Sequence, residues 1–453
     1  MIDTPAFSPV AWLLPYNAED MSLSAQRSSA HKELLLSQGV RWVDWDVGMH
    51  LGTDQFDVIV FTHPYDRERP RELWFDRVRS CVKEIVYVPY GLTVGAGEKN
   101  LRLQFAQPLQ IGADLIVARS AAEKSMYARY CPVDEGRVQV LGHPRFDRLL
   151  EQLQTIETSK LDTQINGRMA VLWNSHFSFG HRFSQSSNFS SFDLLGPELI
   201  DYFSAHCATH CLIWRPHPGL FPELIRQKLL APEELPTLRG ELNSLGIVLD
   251  EATDHLPAFA CSHALISDPG SFWFEYLATG KPLLPLINPE GEGFNAEAAS
   301  LIVACGSASR FEDVACFIEA ITEDRIDYER YVALRDYYLP LLDGKSGSRV
   351  CAALLGAQPP AIDLSIPFHT ANERLQFEGV ARHCSSSPIE MKMPPILTRL
   401  QAGLRRIRSE KKAQSNLRKW SRRQMNRVRT SAGEAVKRQP KLMKLAERVR
   451  NIL

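Results

Sequence analysis

The chain has 453 residues, 44% of them hydrophobic and 23% charged, a balance that suits a folded protein of two or three domains at about 150 residues each. Nine scattered cysteines with no CxxC pair argue against a disulfide framework or a zinc ribbon, and no run of ~18 apolar residues could span a membrane. A net charge of −1 names no partner, but it hides a division: 18 of the 52 basic and 3 of the 53 acidic residues fall between 396 and 453, so that segment carries +15 and the rest −16.

The N-terminus, MIDTPAFSPVAWLLPYNAED, lacks a basic stretch and its apolar run is short, so no signal peptide is expected and the protein is read as cytoplasmic. Short apolar runs follow: VAWLLPY (10–16), FDVIVFTHP (56–64), EIVYVPYG (84–91), ADLIVARS (113–120) and VQVLGHPRFD (138–147). Each reads as a buried strand ending in a polar or Gly/Pro turn. Segments of helical pattern, such as 22–38 and 71–82, lie between them, which predicts βαβ units and a parallel sheet. The polar stretch EQLQTIETSKLDTQING (151–167) reads as an interdomain connector.

A second series of runs starts beyond it: AVLWNSHFS (170–178), HCLIWRPHP (210–218), GIVLDEA (246–252), HALISDPGS (263–271) and KPLLPLIN (281–288). Helical pattern then continues from 312 to about 355. The expected fold class is α/β: two Rossmann-like parallel-sheet domains, 1–165 and 166–356, facing a cleft. A linker (357–395) and a basic, amphipathic helical tail (396–453) follow. The tail's apolar residues recur in steps of three and four among Arg and Lys, as on a helix lying on an anionic membrane. Trp420 and the leucine stripe favour lipid over nucleic acid.

Ligands of parallel sheets sit at the strands' carboxyl ends, so the polar residues there are the candidates for chemistry. In RPHP, prolines on both sides hold His217, and Arg215 offers a planar cation suited to phosphate. In ISDPGSFWFEYLATGKP, Asp268 ends a strand and Gly270 permits close approach. Ser271 adds a hydroxyl, and Glu275, one helical turn on, suits ribose hydroxyls. His176 in WNSHFS is a candidate base, and GHPRFDRL contributes His143 and Arg145. Strand-end caps and an Arg–Asp pair are the plain structural alternatives. HCATHC (206–211) spaces His206/His210 and Cys207/Cys211 four apart, but zinc is disfavoured there. No Asp/Glu cluster marks a dedicated magnesium site.

GHPRFD, RPHP and ISDPGSFWFEYLATGKPLL, in this order and spacing, resemble the CDP-glycerol glycerophosphotransferase family over roughly residues 55–345. That resemblance implies a GT-B fold with the nucleotide held mainly by the second domain. Asp268 and Ser271 would take the diphosphate end, Glu275 the ribose side, and Arg215 and His217 the transferred phosphoryl group. It implies a CDP-activated polyol donor, a hydroxyl acceptor on a lipid-linked glycan, and release of CMP at the inner face of the membrane. No cofactor is required, with room for a weakly held Mg2+. The family's Trp-His-Gly is replaced here by Pro89-Tyr90-Gly91. The base would therefore be His176, then His143, with Tyr90 orienting the acceptor. Two other readings remain: a GT-B glycosyltransferase using a nucleotide sugar, and a non-catalytic membrane or RNA scaffold.

Overall fold

A computed structural model describes residues 6–14, most of 29–44, 55–147, 149–179, 188–227 and 230–357. The expected linker beyond 357 and the expected helical tail 396–453 lie outside the described residues, as does much of the helix expected over 22–38. Two lobes are present, each built on a parallel sheet. In the first, β3 (Val58–Phe61), β4 (Glu84–Tyr87), β5 (Leu115–Ala118) and β6 (Val138–Val140) lie side by side in chain order. A separate parallel pair joins β1 (Ala11–Leu13) to β2 (Trp42–Asp44). The pattern had not singled out β2, a strand of only three residues.

The second lobe holds β7 (Met169–Ser175), β8 (His210–Pro216), β9 (Val248–Leu249), β10 (Ala264–Ser267) and β11 (Leu283–Pro285) in the order β11-β10-β7-β8-β9. The chain leaves β7 toward β8 on one side and returns to β10 on the other. β7 and β10 therefore flank a topological switch point, where a crevice opens beyond the strand ends. Alternation explains why this sheet is buried on both faces. Val171, Trp173, Leu212, Trp214 and Ile266 pack against the helices Phe192–Ala205 and Phe311–Thr322. Ala170, Leu172, Ile213 and Leu265 face the helices Leu256–Cys261 and Phe272–Leu277.

Three helices depart from the expected division. The connector predicted at 151–167 is mostly helical (Leu149–Thr155 and Ser159–Ile165), and Leu149, Leu153, Ile156, Leu161 and Ile165 bury against the second lobe. Its polar composition masked an apolar stripe at helical spacing. The last described helix, Ser346–Leu354, crosses back and packs Val350 on Val86, Leu115, Val117 and Leu141 of the first lobe. A boundary at 356 therefore misassigns it, because a continuous helical pattern does not say which sheet it covers.

Polar clasps join the lobes. The buried Arg119, just beyond β5, donates to both Glu297 carboxylate oxygens at 2.7 Å and to the Tyr338 carbonyl at 2.6 Å. Its guanidinium lies 4.7 Å from the centre of the Phe274 ring. Asp147 anchors the start of the returning helix instead, accepting from the Ser346 amide at 2.8 Å and the Gly347 amide at 2.6 Å. Asn295 donates to the Thr93 carbonyl at 2.8 Å.

Candidate active site between the lobes

The second-lobe rim is organised around Asp268, at the end of β10 and 1% exposed. Its carboxylate accepts from the His176 amide (2.7 Å), the Ser190 hydroxyl (3.0 Å), and the Ser191 amide (2.9 Å) and hydroxyl (2.5 Å). Burial pushes its pKa up to about 6, against the pull of these donors. A carboxylate so engaged does not hold a diphosphate. Asp268 instead ties the segment after β7 to the end of β10, and so positions the switch point.

Arg215 is also committed elsewhere. It ion-pairs with Asp250 and donates to the carbonyls of Ala252 (2.6 Å) and Asp254 (3.2 Å). The phosphoryl contact expected of it is replaced by a clamp on the turn after β9, since a nearly buried guanidinium is drawn to the acceptors beside it. HCATHC forms no shared helix face either. The helix ends at Ala205, and His210 already belongs to β8. Among the described residues, no group of three or more His, Cys, Asp or Glu side chains could hold a metal.

The candidate histidines share one device. His217 Nδ1 accepts from the Gly219 amide at 3.0 Å, His176 Nδ1 from the Ser178 amide at 3.2 Å, and His143 Nδ1 from the Arg145 amide at 3.2 Å. An Nδ1 that accepts an amide N–H carries no proton, so each ring presents Nε2–H, a tautomer assigned from those donors. Burial holds His176 down to about 3, with His217 adding to the shift, and holds His143 down to about 4, with Arg119 and Arg145 adding. These rings are hydrogen-bond donors. The base role expected of His176, and of His143 after it, is corrected on that ground. His176 and His217 stand with ring centres 5.1 Å apart at the ends of the adjacent strands β7 and β8, and Phe177 lies 4.4 and 4.6 Å from them.

Across the crevice, Arg145 of the first lobe pairs with Glu275 of the second at 2.9 Å and donates to the Tyr90 carbonyl at 2.9 Å. His255 meets the same Glu275 oxygen at 3.2 Å. Burial raises the Glu275 pKa, but His255 and Arg145 outweigh it and the net direction is down. Glu275 Oε1 and His143 Nε2 are both buried with no hydrogen bond of full geometry among the described residues, although the Ser271 hydroxyl lowers the Glu275 pKa and the Pro89 carbonyl raises that of His143. Gly91 lies against Ser271, and a Cβ added at Gly270 would meet nothing within 4 Å. Ser271 opens the helix Phe272–Leu277 without a side-chain cap bond. The structure thus gathers Tyr90, His143, Arg145, Glu275, Gly270 and Ser271 into one region. Asp268 links His176 to it from behind, and Arg215 is turned away.

Sequence reasoning passed over His63, whose ring centre is 5.0 Å from that of Tyr90 and whose Nε2 lies 3.0 Å from Glu68. The signal was present: Thr62-His63-Pro64 follows β3 as Gly142-His143-Pro144 follows β6. It also passed over Ser190, Ser191, His255 and Arg119, which no local motif marks.

These features define a two-lobed parallel α/β protein with a crevice at a switch point. No protein-family model and no curated protein matches the chain. Among solved structures it is similar to a variant of the wall teichoic acid polymerase TagF, at 13% identity over 75% of this chain and 78% of the other, with a TM-score of 0.48. It is similar to a UDP-N-acetylglucosamine 2-epimerase at 15% identity, over 67% and 74% of the two chains with a TM-score of 0.45. A putative UDP-N-acetylglucosamine 2-epimerase from Listeria monocytogenes aligns at 13% identity over 77% and 84%, with a TM-score of 0.44.

Proposed function

We propose that the protein transfers a polyol-phosphate unit, of the glycerol-phosphate kind, from a CDP-activated donor to a hydroxyl acceptor and releases CMP. The observation that carries this reading is a pair of buried polar atoms without a hydrogen bond of full geometry, His143 Nε2–H as donor and Glu275 Oε1 as acceptor, beside the Gly270–Ser271 turn. A sugar hydroxyl both accepts and donates, which suits a donor and an acceptor of this kind. A nucleoside seated there runs its phosphates toward the switch point, where His176 and His217 present imidazole N–H groups. Phosphoryl transfer needs mainly positioning and charge stabilisation, which fixed donors supply. Any Mg2+ taking part comes with the donor's phosphates rather than from a protein cage.

Residues 396–453 would hold the enzyme on anionic lipid, each Lys or Arg near the surface adding about 1 kcal/mol, and so beside a lipid-linked acceptor. The experiment is to incubate the protein with CDP-glycerol, CDP-ribitol and UDP- or GDP-sugars and to identify the nucleotide released. CMP supports the proposal, UDP or GDP points to a glycosyltransferase on the same scaffold, and no release from any donor supports a scaffold protein. Deletion of 396–453 should abolish sedimentation with anionic vesicles and spare turnover on a soluble acceptor.

A further inference from the structure

We propose that His63, held by Glu68, is the catalytic residue that takes the proton from the attacking hydroxyl. This rests on the phosphotransfer reading and assigns the group that reading lacks once Pro89-Tyr90-Gly91 and the histidine tautomers are accounted for. A base needs an imidazole nitrogen with an available lone pair, a carboxylate to orient the other nitrogen, and access to the crevice. His143, His176 and His217 fail the first condition at Nδ1, which an amide already fills, and carry a proton at Nε2.

His63 meets the first two, and for the third it stands beside the crevice-side Tyr90. Its Nε2 faces Glu68 Oε2 at 3.0 Å, which places the proton there. Its Nδ1 makes no hydrogen bond among the described residues. Its side chain is 31% exposed, beside Tyr90, whose loop touches Ser271 of the opposite lobe through Gly91. Its backbone is fixed by Arg69, which donates to the His63 carbonyl and pairs with Asp66. Tyr65 packs edge-on with ring centres 4.6 Å apart. The groups facing it are therefore Glu68, Arg69, Tyr65 and Tyr90. Burial and Arg69 lower its pKa, and Glu68 opposes them. His255 also meets a carboxylate, but it shares Glu275 with the Arg145 cation.

In the step, the acceptor oxygen bonds to the polyol-bearing phosphorus while its proton passes to His63 Nδ1. The bond from that phosphorus to the bridging oxygen breaks, and CMP leaves with the electron pair. His63 then returns the proton to water. Glu68 acts through His63 as a positioning residue.

The test measures CMP release from CDP-glycerol, with glycerol as soluble acceptor, by wild type and by the His63→Gln, Glu68→Gln and His255→Gln variants. His63→Gln should lower kcat by roughly 10²–10⁴, with the donor KM and the melting temperature unchanged. Glu68→Gln should lower kcat less and move the acid limb of kcat/KM to lower pH, because the lost carboxylate had favoured the protonated ring. Independently of turnover, the 15N shifts of His63 should report protonation at Nε2 in wild type. Wild-type kcat in His63→Gln, or the larger loss in His255→Gln, overturns the assignment and leaves the phosphotransfer reading standing. A wild-type enzyme that releases no CMP removes both.

Discussion

The two rims of the crevice are built differently. On the second lobe, Asp268 is saturated by four protein donors and Arg215 is spent on the turn after β9, so strand ends and loops are locked together. On the first lobe, Tyr90 is 50% exposed and His63 keeps one ring nitrogen uncommitted. A locked rim suits recognition of a donor of fixed shape, since little ordering remains to be done on binding. An open rim with an oriented imidazole suits a reaction partner that must enter and leave. Charged residues at strand ends are therefore not equivalent: Asp268 and Arg215 are spent on the fold, whereas His63 keeps an uncommitted ring nitrogen.

The largest effect should come from the clasp between the rims. Arg119→Ala leaves Glu297 buried without its partner and should cost about 3–5 kcal/mol in urea unfolding, whereas Arg119→Met with Glu297→Leu should recover most of it. Next, Asp268→Ala strands the donors of Ser190, Ser191 and His176 and should cost on the order of 3 kcal/mol, with turnover lost through the displaced segment. A variant as stable as wild type but inactive would restore a direct ligand role to Asp268.

The pH response follows. His143 sits at about 4 in the folded chain, below its usual range, so the unfolded chain binds the proton more readily. Its contribution to stability is complete above pH 6.5 and is lost as pH falls toward 4, about 2 kcal/mol of it by pH 5. Chemical denaturation between pH 7 and 5 should show that slope summed with a like-signed one from His176 and an opposing one from Asp268, and His143→Gln should remove only the His143 share. The smallest effect should be that of Arg145→Lys. The partly exposed pair with Glu275 contributes at most about 1 kcal/mol to stability, so the change should instead raise the donor KM by loosening the Tyr90 loop.

Much of the fold was legible because strand burial and strand length are local properties. Runs such as ADLIVARS and HALISDPGS became β5 and β10 because both faces of a parallel strand must be apolar. The candidate site was legible as a set of positions, not as a set of roles. Arg215 and Asp268 were read as ligand contacts because Arg and Asp beside a turn suit phosphate chemistry. Their partners Asp250 and Ser191 lie 35 and 77 residues away and leave no local trace. His63 was missed for the converse reason: its partner Glu68 is near in sequence, but the ring stands beside Tyr90 only because β3 pairs with β4.

By itself, then, the order of residues determined the strands, the Gly/Pro turns that end them and the histidines placed after them, because hydrophobic period and turn chemistry act over a few residues. The tertiary structure decided which of those histidines donate and which one can accept, since that depends on the amides and carboxylates that packing brings to each ring. It also decided that the helix Ser346–Leu354 returns to the first lobe, because an apolar stripe specifies burial without specifying the surface that buries it.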